Sequence, residues 1–161
     1  MANKKISQLA SGNPPQSADE IPINRAGANF SITAGALAAR TGMVSATIDG
    51  GGSAVGTGSK GQLNIPFNAV ITGWVLTADQ VGAAVVDVQA CPYAGFPGSL
   101  ASICGGDKPA LAPSPPEQRA ENLAVSLWTT ALAPGTQLNF NVLSATAVTR
   151  LNLTIILQIT G

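Results

Sequence analysis

Apolar and polar positions alternate most regularly near the C-terminal end of the chain. Leu151, Leu153, Ile155, Leu157 and Ile159 share one face, and Asn152, Thr154, Gln158 and Thr160 share the other. A period of two marks a strand with one face on a core. Ile156 breaks the pattern and is expected to face a neighbour. The same period recurs at Val44, Ala46 and Ile48, at Leu63, Ile65 and Phe67, and at Leu138, Phe140 and Val142. Val70 to Leu76 is almost continuously apolar, which predicts a strand covered on both faces. Asp79-Gln80-Val81-Gly82 reads as a turn, with Ala83 to Val88 as the strand returning from it. Leu123 to Trp128 reads as a further strand before the turn at Ala133-Pro134-Gly135.

Residues 92–118 are rich in proline and glycine. Ser99 to Cys104 is expected to form one helical turn, and the rest a long exposed loop outside the core. The pattern predicts seven or eight strands and no long helix. That is an all-β chain, a β-sandwich of jelly-roll type, over residues 43–161.

Residues 1–42 differ. Lys5 to Leu9 is a short amphipathic stretch, and Ser11 to Ser17, with Pro14-Pro15 inside, is an extended connector. Residues 21–25 and 29–32 predict a small hairpin around Ala26-Gly27-Ala28-Asn29. Thr33 can cap a short alanine-rich helix, 34–39, which Gly42 would end. The large apolar residues here, chiefly Ile6, Leu9, Ile21, Ile23, Phe30 and Ile32, are too few to fold alone. The segment is expected to be mostly extended and to dock on another surface through those six side chains.

Composition narrows the function. Only 10% of the 161 residues are charged, and the net charge is zero. A neutral polar surface lacks the self-repulsion that keeps monomers apart, which favours assembly. Lys4-Lys5 is the only adjacent basic pair, so no basic stripe is available for nucleic acid. No signal-peptide segment or membrane-length apolar run is read, so cytoplasmic synthesis without membrane insertion is expected. Cys91 and Cys104 are expected as free, partly buried thiols, ahead of a disulfide closing the loop between them.

Catalytic chemistry is not expected. The chain has no histidine, the usual proton shuttle of hydrolases. Gly56-Thr57-Gly58-Ser59-Lys60-Gly61 matches a dinucleotide fingerprint, but a strand follows it where a helix is needed. Asp79 and Asp87 flank the predicted turn and could form a glycosidase pair, yet a turn-capping aspartate and a solvent-facing one explain them more simply. Asp49 and Asp107 could take calcium, without the repeated acidic pattern such sites show. Trp74 and Trp128 fit core packing better than sugar stacking. Tyr93 and Phe96, in the Pro/Gly-rich segment, are the candidate exposed contacts. No cofactor or metal is expected.

Lys5-Ile6-Ser7-Gln8-Leu9, Ala18-Asp19-Glu20-Ile21-Pro22-Ile23 and Asn29-Phe30-Ser31-Ile32-Thr33 resemble the virion-anchoring start of tailed-bacteriophage tail-fibre and head-fibre proteins. Asp49-Gly50-Gly51-Gly52, Gly58-Ser59-Lys60-Gly61, Ile65-Pro66-Phe67, Ile71-Thr72-Gly73-Trp74, Ala78-Asp79, Trp128-Thr129-Thr130 and Pro134-Gly135 resemble a β-sandwich domain of phage surface proteins. The resemblance implies a non-enzymatic virion component, a homotrimer that contacts other virion proteins. The chain has no shaft between anchor and knob, so a capsid decoration or head-fibre protein fits better than a host-reaching tail fibre. A short tail fibre or adaptor binding a host surface glycan or protein is the alternative.

Overall fold

The computed structural model describes residues 20–33 and 40–160. They belong to two compact units divided between Ala39 and Arg40. In the first, β1 (Glu20–Arg25) and β2 (Ala28–Thr33) form an antiparallel hairpin. Its two-residue turn is Ala26-Gly27, with φ of 52° and 82°. Positive φ at both central residues suits the twist of a tight hairpin, and glycine takes it without strain. The predicted hairpin is therefore present. The predicted amphipathic stretch, connector and helix 34–39 lie outside the described residues, as do Ile6 and Leu9.

The second unit is an antiparallel β-sandwich. Its strands are β3 (Arg40–Asp49), β4 (Gly58–Ile65), β5 (Ala69–Pro92), β6 (Ala101–Ser102), β7 (Ala110–Leu111), β8 (Glu117–Asn122), β9 (Ala131–Leu132), β10 (Thr136–Thr146) and β11 (Arg150–Ile159). The 24-residue β5 belongs to both sheets. Its first half pairs with β11 on one side and with β8 and β9 on the other. Its second half pairs with β10 on one side and with β6 and β7 on the other. β3 completes the first sheet beside β11, and β4 completes the second beside β10.

One apolar core lies between the sheets. Leu151, Leu153, Ile155 and Leu157 of β11 are completely buried, as their alternation predicts. They lie beside Trp74 and Leu76 of β5 in the same sheet, and the second sheet contributes Val86, Val88, Leu138 and Phe140 to the same cluster. Ile156 points away from this core and is half-buried, cross-strand from Met43 and Gly73.

Five expectations are corrected. Residues 79–82 do not reverse the chain: β5 bends there and runs on into the second sheet. The hairpin between β10 and β11 clasps the bend, one arm on each half of β5, so a returning strand has no place. Gly42 does not end a helix but lies inside β3. Leu123 to Trp128 is not a strand; Val125 and Trp128 are buried while Leu123 and Leu127 are exposed, a spacing of three that suits turns. Residues 92–118 are not one outer loop, and 99–104 is not helical. Tyr93–Gly95 forms a 3-10 turn, β6, β7 and the start of β8 line the edges of β5, and Ile103, Cys104 and Leu111 enter the core.

Candidate functional site

The bend in β5 is built from a side chain that reaches and one that is missing. Asp79 accepts the backbone N–H groups of Thr149 and Arg150, at 3.1 and 2.9 Å, and the Thr149 hydroxyl. Gln80 donates its amide to the Ala147 carbonyl. Gly82 packs so closely on the hairpin turn that a Cβ would lie 2.4 Å from the Thr146 oxygen. Nearby, Arg150 donates from Nε to Asp49 at 2.9 Å, and the Gly51 N–H donates to the same carboxylate at 2.7 Å. The Thr149 hydroxyl and the Arg150 amide hold the Asp79 carboxyl below its usual range, and the Gly51 amide followed by Arg150 does the same for Asp49. Both carboxylates already have partners, and the role they fill is to fasten loops at this end of the sandwich.

A second polar row crosses the outer face of the other sheet. Ser59 of β4 donates to Asn139 of β10, whose amide donates to Gln89 of β5 at 2.9 Å. Gln89 donates to Asp87 at 3.2 Å, and Ser102 of β6 donates to the same carboxylate. Lys108 lies 3.8 Å from it. Asp87 is 5% exposed and Asn139 1%, so Asp87 does not face solvent as expected. Alternation does place it on the outer face; what the pattern could not reveal is that the segment around Ser102 and Lys108 folds back over it.

Asp79 and Asp87 are not brought together. Eight residues along one extended strand, at roughly 3.3 Å each, separate them by on the order of 20 Å even across a bend. Glycosidase carboxylates stand about 5–10 Å apart. The glycine fingerprint runs directly into β4, without the helix that would meet pyrophosphate. Asp107 accepts the Asn122 amide at 2.6 Å, and its carbonyl takes the Trp128 indole N–H at 2.7 Å. Among the described residues, no group of three or more histidine, cysteine or acidic side chains is arranged to hold a metal. Trp74 and Trp128 belong to the core.

The candidate contact residues divide. Tyr93 is 73% exposed, at the end of β5, whereas Phe96 is half-buried. In the N-terminal hairpin the register sets Ile21 opposite Ile32 and Ile23 opposite Phe30. Phe30 is 54% exposed and Ile21 36%. No family model matches the chain, and no curated protein or solved structure matches it.

Proposed function

We propose that the chain is a non-enzymatic structural component of a tailed-phage virion, a capsid decoration or head-fibre protein. It is made in the host cytoplasm, docks on the particle through its N-terminal segment and displays the sandwich, in several copies. The carrying observation is the β1–β2 hairpin. A two-stranded hairpin is at best marginally stable in water, and this one leaves Phe30 and Ile21 open. A docking surface would cover these side chains and supply the missing stability. The resemblance of this segment to fibre anchors points to a virion protein as that surface.

Three further features support the reading. Asp49, Asp79 and Asp87 are committed to hydrogen bonds that hold loops. The low charge of the surface favours assembly. The strand order also fits the jelly-roll winding proposed for the knob. With the halves of β5 counted separately, each sheet alternates early and late strands: β3, β11, β5, β8 in one and β4, β10, β5, β6 in the other. The exposure of Tyr93 favours a second reading, a short tail fibre or adaptor whose knob contacts a host surface glycan or protein.

The test is incorporation. Full-length protein and a version starting at Arg40 are added to particles lacking the protein, and bound copies are counted after sedimentation. The shortened chain is expected to melt cooperatively and stay in the supernatant. Equal incorporation would move the attachment surface onto the sandwich.

A further inference from the structure

Asp49-Gly50 is the one place in the chain where an aspartate or asparagine precedes a glycine. In a free chain such a pair closes on itself. The glycine nitrogen attacks the aspartate Cγ and an N–Cγ bond forms. A carboxyl oxygen leaves as water, taking the amide proton and the carboxyl proton. A second water then opens the five-membered imide. Attack at the former main-chain carbonyl leaves the chain running through Cβ and Cγ, as isoaspartate. Glycine favours the closure because it sets no side chain beside the attacking nitrogen. Both residues are nevertheless required here. A Cβ on Gly50 would run into the Ser53 carbonyl oxygen. The Asp49 carboxylate accepts the Gly51 N–H at 2.7 Å and so holds the turn that follows β3. Gly51 and Gly52, with φ of 66° and 86°, carry that turn onward. The fold thus demands the dipeptide most prone to rearrange.

Both reacting groups are held in other bonds. The Gly50 N–H donates to the Thr149 carbonyl at 2.8 Å. Arg150 stands directly across from Asp49 in the β3–β11 ladder. It reaches one carboxylate oxygen from Nε at 2.9 Å and from Nη2 at 2.8 Å, while the other oxygen takes the Gly51 N–H. Closure needs Cγ brought onto the Gly50 nitrogen, within about 3–3.5 Å. It also needs the carboxyl protonated, so that its oxygen can leave. The Gly51 amide, followed by Arg150, holds the carboxyl below its usual range, which makes that acid form scarce. The two side chains are 46% and 60% exposed, and so open a pair contributes little to stability. We propose that Asp49-Gly50 is a succinimide-forming site kept closed by the fold, and that Arg150 is the positioning residue that keeps it closed. Without the Arg150 side chain, the carboxyl can turn onto the Gly50 nitrogen. β3 then gains a methylene in its main chain and loses the carboxylate that fastens Gly51. This inference does not depend on the virion reading.

The test ages full-length wild type and Arg150→Ala beside a free peptide of residues 46–53, in warm neutral buffer. Isoaspartate at position 49 is counted by peptide mapping, and exchange of the Gly50 amide hydrogen is followed in both proteins. The peptide should isomerise readily, and the wild type at a small fraction of its rate. Arg150 is exposed, and its backbone N–H to Asp79 is kept in the variant, so folding is retained. Arg150→Ala should melt cooperatively, protect the Gly50 amide as wild type does, and form isoaspartate severalfold faster. A wild type that isomerises as fast as the peptide would overturn the inference. So would an Arg150→Ala protein no faster than wild type. A gain that comes only with an unprotected Gly50 amide would also overturn it, because Arg150 would then be a clasp on the strand end.

Discussion

The Asp79 carboxylate accepts the Arg150 N–H at 2.9 Å, tying the bend of β5 to the turn that joins β10 and β11. The relationship explains how one strand serves two sheets. Each arm of the hairpin pairs with one half of β5, so the turn between the arms must sit on the bend. Asp79 satisfies two backbone donors there that the turn leaves without ladder partners.

Asp79→Ala should therefore lower the melting temperature by a few degrees at neutral pH without changing the fold. The carboxyl is more acidic folded than its ordinary value of 3.8, so its contribution is present above that pH and is lost as pH falls through the folded value. Thermal melts of both proteins should converge as the pH falls below the folded value. A gap that stays constant under acid would show that the effect is not carried by the ionised carboxylate.

Gly82→Ala tests the same junction from the other side. The new methyl would meet the Thr146 oxygen at 2.4 Å and Val148 Cγ1 at 2.7 Å. A backbone carbonyl in a paired strand cannot turn aside as a flexible side chain can. The expected destabilisation is about 2–4 kcal/mol, read from urea unfolding. A loss below about 0.5 kcal/mol would mean that the hairpin does not sit flush on the bend.

Alternation made β3, β10 and β11 legible in the sequence, because each sets apolar residues toward the core and mostly polar ones on the outer face. It failed where strands are short or held by irregular contacts. β6 and β7 are too short to show a period. β8 reads Glu-Gln-Arg-Ala-Glu-Asn and buries almost nothing, so only its pairing with β5 makes it a strand. The bend at 79–82 has turn composition but is continuous strand. Its failure to reverse the chain depends on a hairpin some seventy residues away. The Asp87 row was hidden for a similar reason, since Ser102, Lys108 and Asn139 meet only through folding.

The proline-rich stretch is correspondingly integral. Leu111 is 1% exposed, in the same cluster as Val86 and Phe140, and pairs with Ala84 through β7. Leu111→Ala should cost about 2–5 kcal/mol through lost burial and a residual cavity. Removal of residues 111–118, which also takes the start of β8, should abolish cooperative melting. A shortened chain that melts as sharply as wild type would return this segment to the surface.

Cys104 offers a test at the alkaline end. Its side chain is fully buried; Sγ accepts the Val88 N–H at 3.2 Å and donates to the Val88 carbonyl at 3.6 Å. Burial pushes the thiol up from 9.0 to about 12, because the thiolate would be stripped of water beside Asp87. Two outcomes follow. Near about pH 8, a thiol reagent should modify Cys104 no faster than the chain opens, since the nucleophile is the thiolate and the folded state neither ionises nor exposes it. Above the ordinary value of 9.0, the unfolded chain loses this proton while the folded chain keeps it. The contribution is thus complete below that pH and declines as pH rises toward about 12. Cys104→Ala lacks the group, so its unfolding free energy should approach that of wild type across this alkaline window. Ultraviolet titration of the thiolate in the folded Cys91→Ala variant should show no step near the ordinary value. A step there would place Cys104 in contact with solvent, and remove the second sheet's edge from the core.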